Sequence, residues 1–170
     1  MTLPDITLSA TRIDPASGLQ REAARPAHLQ NETYAQRYDW DTLFYDVYRA
    51  GNHVVLQGPP FLNLLEPLKA SAPFNRAFGF PRFAARHLGE KKRGEIWLRS
   101  AADSLQIDGP IGRYAVAVQP DMAPLFAGRR VITTLSKDND LRWIADWVRF
   151  YAALHGADGV LLYDNGSTAY

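Results

Sequence analysis

Two polar turns near the end of the chain carry the side chains best suited to ligand chemistry. A carboxylate at the end of a strand can accept hydrogen bonds from the N–H or O–H groups of a ligand, and a following glycine lets a ligand approach the backbone closely. The other interpretation is an ordinary turn, in which an Asx hydrogen bond engages the carboxylate. From spacing alone, the ordinary turn is favoured. The candidate binding residues are Ser136, Lys137, Asn139, Asp164 and Gly166.

Both turns follow short apolar runs, which predicts that each turn ends a β-strand. Residues 131–135 and 159–163 are continuously apolar or β-branched, as in strands buried on both faces of a parallel sheet. Between them, residues 141–155 have helical periodicity, with Asp138, Asn139 and Asp140 available as N-caps and Gly156 suited to a left-handed C-terminal cap. The pattern predicts one βαβ unit whose two turns meet at the carboxyl edge of the sheet, where such sheets bind ligands.

The predicted helix is apolar around most of its circumference. Arg142, Asp146 and Arg149 form one narrow polar stripe. A helix of this kind is covered on more than one side. Trp143 and Trp147 could form a platform for a sugar ring, but the small polar surface of the helix favours core positions for both.

The stretch KDNDLRWIADWVRFYAALHGADGVLLYDNGST, residues 137–168, resembles the opening of a nucleotide-sugar glycosyltransferase of the A-type fold. It is closest to glycosyltransferase family 92, in which a Lys-Asn-Glu-like turn, a Trp-bearing helix and a Tyr-Asp-Asn-Gly-Ser strand end follow in this order. The related family 2 enzymes have Asp-Asp-Gly-Ser-Thr-Asp. Two features depart from these patterns: Ala169 stands in place of the terminal acid of family 2, and the first turn has an inserted Asp138 and has Asp140 in place of Glu.

The resemblance implies a function for the carboxyl edge. Asp164 would hold the nucleoside of a nucleotide sugar, with residues 136–139 as the opposite wall. The intact enzyme would transfer the sugar to a glycan or lipid-linked acceptor, with a divalent metal (Mn or Mg) held by a downstream Asp-x-Asp. Since nothing follows Tyr170, we expect this chain to be a truncated, inactive front part, with no catalytic residue, metal ligand or cofactor of its own. The expected fold class is α/β: a small antiparallel β-rich N-terminal region followed by the first βαβ unit of a truncated Rossmann-like nucleotide-sugar domain.

The composition indicates a packed globular protein and argues against several classes of function. Of 170 residues, 46% are hydrophobic and 12% aromatic, which is too many for a disordered chain. The net charge of +1 gives no reason to expect a nucleic-acid partner. The sequence has no cysteine, which fits a cytoplasmic protein. Residues 1–15 lack the pattern of a signal peptide or a spanning helix, and the four histidines share no metal-ligand spacing.

The residues before the βαβ unit form two regions. Residues 1–38 are polar and interrupted by prolines, which predicts an extended lead-in, with a short strand at residues 6–8 and with Arg21, Arg25 and Arg37 solvated. Residues 39–128 predict a β-rich accessory domain, a small antiparallel sheet or sandwich, whose last residues, 120–128, link it to the A-type domain at residues 129–170. The expected strands are residues 43–49, 53–57, 94–99, 105–107 and 114–118, with a hairpin turn at residues 50–52.

Residues 78–93 combine five basic side chains with three phenylalanines. One interpretation is a surface for an anionic lipid or a carrier phosphate, and so a peripheral membrane contact. The pattern favours the other interpretation, a solvated loop whose phenylalanines dock on the sheet.

Two functions from different classes remain open. The first is the glycosyltransferase fragment. The alternative is a non-catalytic β-rich module that binds carbohydrate or protein, with the C-terminal helix completing its core. In the fragment, residues 159–163 are expected to expose a sheet edge and to promote self-association.

Overall fold

The computed structural model describes residues 6–77, 83–88 and 93–169. It divides into an N-terminal unit, Met1–Asp121, and a C-terminal unit, Met122–Tyr170. The fold is mixed α/β, with small antiparallel sheets in the first unit and one parallel pair of strands in the second. Within the described residues, no helix has both the length and the apolar character needed to cross a bilayer.

The N-terminal unit is built on a four-stranded antiparallel sheet. Its helices and strands are β1 (Thr11–Arg12), α1 (Tyr34–Arg37), β2 (Thr42–Phe44), β3 (Asp46–Ala50), β4 (His53–Gly58), α2 (Leu65–Ala70), α3 (Phe74–Ala77), β5 (Phe83–Leu88), β6 (Arg93–Arg99), β7 (Ser104–Gly109) and β8 (Gly112–Ala117). The order in the large sheet is β3-β4-β6-β5, and β1 with β2 and β7 with β8 form two further antiparallel pairs. The predicted hairpin is confirmed: β3 and β4 are joined through Gly51, whose φ of 56° suits glycine.

The core of this unit lies on one face of β4 and β6, where side chains of period two point the same way. Val54 is paired with Leu98 and Leu56 with Ile96, and all four are buried. The next pair on this face is two glycines, Gly58 opposite Gly94. A Cβ at Gly58 would lie 2.4 Å from the carbonyl oxygen of Leu43, and a Cβ at Gly94 would lie 2.6 Å from the ring of Phe61. The missing side chains therefore let β2 and Phe61 pack directly on the backbone of the sheet.

The N-terminal residues are not an isolated lead-in. β1 pairs with β2, and Ile13 belongs to the core. The prediction that Arg21 is solvated is wrong, because its side chain is only 1% exposed and donates hydrogen bonds to the backbone carbonyls of Asp39, at 2.8 Å, and Thr42. Arg25 and Arg37 are exposed, as expected, whereas residues 6–8 form no strand.

The stretch of residues 78–93 contains a strand that the sequence did not predict. β5 pairs with β6 along its whole length, from Phe83 opposite Leu98 to Leu88 opposite Arg93. Its central residues, Ala-Ala-Arg-His, lack the apolar alternation that marks a half-buried strand. The predicted lipid surface or docked loop depends on residues 78–82 and 89–92 as well, which lie outside the described residues.

The C-terminal unit is the predicted βαβ unit, made of β9 (Val131–Ser136), α4 (Leu141–His155) and β10 (Gly159–Asp164). The strands are parallel, with Val131 opposite Gly159 and Ser136 opposite Asp164. The carboxylate of Asp140 caps the helix by accepting a hydrogen bond from the Arg142 N–H at 2.8 Å, and Gly156 ends it with φ of 63°. At the amino edge, the Asp158 carboxylate accepts a hydrogen bond from the Arg130 N–H at 2.6 Å.

The prediction that α4 and its flanking strands are buried on several sides is wrong for the described residues. No residue of α4 is buried, and Trp143 is 69% exposed, so Trp143 does not occupy a core. Trp147 is half-buried and lies 5.3 Å from Tyr151, measured between ring centroids. On the strands, Leu135 and Tyr163 are also exposed. In a unit of two strands and one helix, the helix covers one face of the strands and the strands cover one face of the helix. The remaining apolar side chains are therefore exposed in this unit.

Candidate functional site

The two turns with candidate binding residues meet at the carboxyl edge of β9 and β10. Ser136 lies opposite Asp164 in the strand register, and the N–H of Asn165 donates to the Ser136 carbonyl at 2.8 Å. The Ser136 side chain is buried, and its Oγ accepts a hydrogen bond from Asn139 Nδ2 at 3.0 Å. The structure thus brings Ser136, Asn139 and Asp164 together, while Lys137 is exposed on the first turn.

The carboxylate of Asp164 is exposed and is oriented by its own turn. Both of its oxygens accept from the Ser167 N–H at 3.2 Å, and Oδ1 also accepts from the Ser167 hydroxyl at 2.5 Å. Gly166, at φ of 71°, reverses the chain so that Ser167 reaches the carboxylate. This is the hydrogen-bonded turn of the alternative interpretation. A carboxylate offers about four acceptor sites, so orientation by Ser167 is compatible with hydrogen bonds to a ligand.

Asp138 joins the two turns, a role that the sequence did not predict. Its backbone N–H donates to the Ser167 hydroxyl at 2.9 Å. Its Oδ1 accepts hydrogen bonds from the Thr168 N–H at 2.6 Å, from the Thr168 hydroxyl at 3.2 Å and from the Ala169 N–H at 3.3 Å. The residue has φ of 50°, a conformation in which Asp and Asn are enriched among residues other than glycine. The inserted Asp in the Lys-Asp-Asn turn was the available signal.

The hydrogen bonds of Asp138 also lower its pKa. The N–H of Thr168 contributes most to lowering the pKa of Asp138 from its ordinary value, and the N–H of Ala169 acts in the same direction. Desolvation opposes them most, and the charge of Asp164 opposes them as well. The backbone donors therefore stabilise the ionised form of Asp138, which holds the second turn.

A small open cavity of about 150 Å³ lies beside this edge, between β9 and α4. Polar groups of Thr134, Ser136 and Asn139 line one side of it, and Trp143 and Trp147 line the other. A cavity of about 150 Å³ holds one six-membered ring. It is smaller than the usual pocket for a complete cofactor, about 300–1,000 Å³. The cavity can therefore take one ring of a ligand rather than a whole nucleotide sugar.

The divalent metal that the resemblance implies belongs to a downstream Asp-x-Asp of the intact enzyme, and the described residues do not test it. Among them, no three His, Cys, Asp or Glu side chains are grouped closely enough to hold a metal ion. What this edge offers chemically is a set of hydrogen-bond acceptors and donors on an ordered pair of turns.

No family model matches this chain, and comparison with curated proteins and with solved structures finds no match. The relation to the glycosyltransferase families stays a prediction.

Proposed function

We propose that the C-terminal unit opens a Rossmann-like nucleotide-sugar domain of the glycosyltransferase A-type and that its carboxyl edge binds the nucleoside of the donor. The observation that carries this proposal is the joined pair of turns at the ends of two parallel strands, with the exposed Asp164 carboxylate on one of them. Ligands of parallel α/β sheets bind at this edge.

Each residue of the edge has a role in this proposal. Asp164 accepts hydrogen bonds from the uracil N–H or the ribose hydroxyls, and Gly166 leaves room for the nucleoside beside the backbone. Ser136 and Asn139 form the opposite wall, next to the cavity for one ring. Lys137 is exposed on the first turn, and in this proposal its positive charge pairs with a phosphate of the donor.

The exposed surfaces of the unit support the larger domain in the proposal. A typical sheet has about 5–6 strands, and the exposed apolar side chains of α4, β9 and β10 offer faces on which further strands and helices would pack. In the intact enzyme the sugar would pass to a glycan or a lipid-linked acceptor. The contribution of this chain is to bind and orient the donor. We propose a cytoplasmic location, with which a sequence without cysteine is compatible.

The test is a calorimetric titration of the chain with uridine diphosphate. We expect binding, and a loss of about tenfold or more in affinity for Asp164→Ala, because a hydrogen bond to a charged group contributes about 1.5–3 kcal/mol. Equal affinity for the wild type and Asp164→Ala would contradict the proposal.

Two further variants separate contact with the ligand from support of the turn. Asp158→Ala is the matched control, since Asp158 also accepts a backbone hydrogen bond next to a strand but lies at the opposite edge. We expect it to bind uridine diphosphate like the wild type. Ser167→Ala removes the hydroxyl that donates to Asp164 but keeps the carboxylate and the backbone N–H donor, so we expect a smaller loss than for Asp164→Ala. An equal loss in Asp158→Ala would assign the effect to stability instead.

A further inference from the structure

The N-terminal unit contains a larger cleft, with a volume of about 770 Å³, which lies within the usual range for ligand pockets. Its walls combine aromatic, cationic and acidic side chains. They include Arg25, Tyr34, Arg37, Tyr38, Asp39 and Tyr45. The cleft lies wholly on residues of the N-terminal unit, so it is independent of the proposed nucleoside site.

The aromatic wall of the cleft is held in place by its neighbours. Tyr34 and Tyr38 stack with ring centroids 5.1 Å apart, and Trp40 packs edge-on against both, at 6.3 and 4.6 Å. The Tyr38 hydroxyl donates to the Glu22 carbonyl at 2.9 Å, and Trp40 Nε1 donates to the Ala35 carbonyl at 2.8 Å. Rings fixed in this way lose little further freedom when a ligand binds.

Among the side chains that line the cleft, two are cationic and one is acidic. Arg25 and Arg37 are exposed, and in the described part of the chain neither guanidinium forms an ion pair. Asp39 is the acidic residue of the wall, and its carboxylate accepts a hydrogen bond from the Thr42 N–H at 2.9 Å.

A third cation, Arg21, lies buried next to the wall of the cleft. It is 1% exposed, it donates to the backbone carbonyl of the wall residue Asp39, and its electrostatic neighbours include the wall residues Tyr38 and Tyr45. Among the described residues it forms no ion pair, and its Nε has no hydrogen-bond partner. The carboxylates of Asp39 and Asp41 act on its charge without forming an ion pair with it. Arg21 therefore adds a third positive charge beside the two exposed arginines.

The combination of groups indicates the class of ligand. Guanidinium groups bind carboxylates and phosphates through paired, charge-assisted hydrogen bonds. Tyrosines offer large, rigid faces with a polar hydroxyl, which suits the C–H faces and hydroxyl groups of a sugar ring. We propose that this cleft binds an anionic saccharide, namely a sugar or short oligosaccharide that carries a carboxylate or a phosphate.

Calorimetry on the whole chain with three probes tests this proposal. Trigalacturonate supplies carboxylates, glucose 1-phosphate supplies a phosphate, and maltotriose is the neutral control. We expect one of the two anionic probes to bind about tenfold or more tightly than maltotriose, with an affinity that falls as salt is added. Which anionic probe binds distinguishes a carboxylate from a phosphate. Absence of binding by both, or equal binding of maltotriose, would overturn the proposal.

Paired variants locate the binding in the cleft. The double variant R25Q/R37Q changes two exposed side chains, so it should fold normally, and we expect it to lose about tenfold or more in affinity for the anionic probe. Arg99→Gln is the matched control, since Arg99 is an exposed arginine on β6 that does not line the cleft. Unchanged affinity in R25Q/R37Q, or an equal loss in Arg99→Gln, would refute the assignment. The anionic probe is expected to bind Asp164→Ala as it binds the wild type, because Asp164 does not line the cleft, so either proposal can fail separately.

Discussion

Replacing Gly58 with alanine tests the closest packing in the N-terminal core. A real Cβ essentially never lies within 3.0 Å of a non-bonded atom, and one at Gly58 would lie 2.4 Å from the carbonyl oxygen of Leu43 and 3.3 Å from Phe44 Cα. Both neighbours are backbone atoms of β2, so no side-chain rotation can relieve the contact. β2 would have to move away from β4 as a whole.

Two opposing effects determine how much Gly58→Ala changes the free energy of unfolding. Overpacking of a core costs about 1–3 kcal/mol, and Gly58→Ala belongs at the upper end or beyond because the neighbour is backbone. Alanine reduces the freedom of the unfolded chain, which offsets about 0.4–1 kcal/mol. We therefore expect Gly58→Ala to lower the free energy of unfolding of this unit by roughly 2–3 kcal/mol. Hydrogen exchange of the β4 and β6 amides at increasing urea measures this quantity for the N-terminal unit separately.

The paired glycine provides the control. A Cβ at Gly94 would meet the ring of Phe61, at 2.6 Å, and a ring can shift more easily than backbone. We expect Gly94→Ala to lower the free energy of unfolding less than Gly58→Ala does. Adding Phe61→Leu should restore about 1 kcal/mol of that free energy in Gly94→Ala but none in Gly58→Ala. A loss below about 1 kcal/mol for Gly58→Ala, or an equal rescue of both variants, would refute this account of the packing.

Three further predictions concern charge and association. The pKa of Asp138 is lowered in the folded chain, so its contribution to stability is present above the unfolded-state pKa and is lost as pH falls through the folded-state pKa. NMR should show that the protection of the Thr168 amide, relative to its intrinsic exchange rate at each pH, falls at low pH, and Asp138→Asn should abolish that dependence. Arg21→Met should lower the free energy of unfolding by about 2 kcal/mol in urea titrations, because two backbone carbonyls lose their donor; an unchanged midpoint would contradict this. β10 pairs only with β9 among the described strands, so light scattering should detect self-association of the chain, and Leu162→Lys on β10 should shift it toward monomer. A wild-type chain that stays monomeric would contradict the prediction that the free edge of β10 promotes self-association.

The features that the sequence predicted correctly depend on local signals. The βαβ unit follows from two apolar runs around a periodic helix, and the ends of α4 follow from the cap residues Asp140 and Gly156. The hairpin between β3 and β4 follows from a turn that contains Gly51. Each of these signals lies within a few residues of the structure that it specifies.

The features that the sequence did not reveal depend on distant partners. Arg21 is buried because the carbonyls of Asp39 and Thr42, about twenty residues away in sequence, accept its hydrogen bonds. β5 is a strand because β6 provides a partner, although its own pattern is not strand-like. The apolar residues of α4 predicted a covered helix, but nothing in their pattern specifies which part of a molecule covers them.

The candidate site divides in the same way. The position of Asp164 at a strand end could be inferred from the run before it, and parallel strands bring that end next to Ser136. The role of Asp138 in joining the two turns could not be inferred from the sequence. Its partners are the amides of Thr168 and Ala169, thirty and thirty-one residues later. The cleft of the N-terminal unit was not inferred because its walls combine residues 24–39 with Tyr45, which follows β2, and with Pro59, Pro60 and Leu62, which follow β4.

The contacts of Asp138 have a consequence for how the two turns move. A single carboxylate bridges segments thirty residues apart, so neither loop can open without loosening the other. The two turns are therefore expected to move together, in a conformation that is formed before a ligand binds. The turns then lose little conformational entropy when a ligand binds. A ligand that contacts one turn would also reduce the motion of the other.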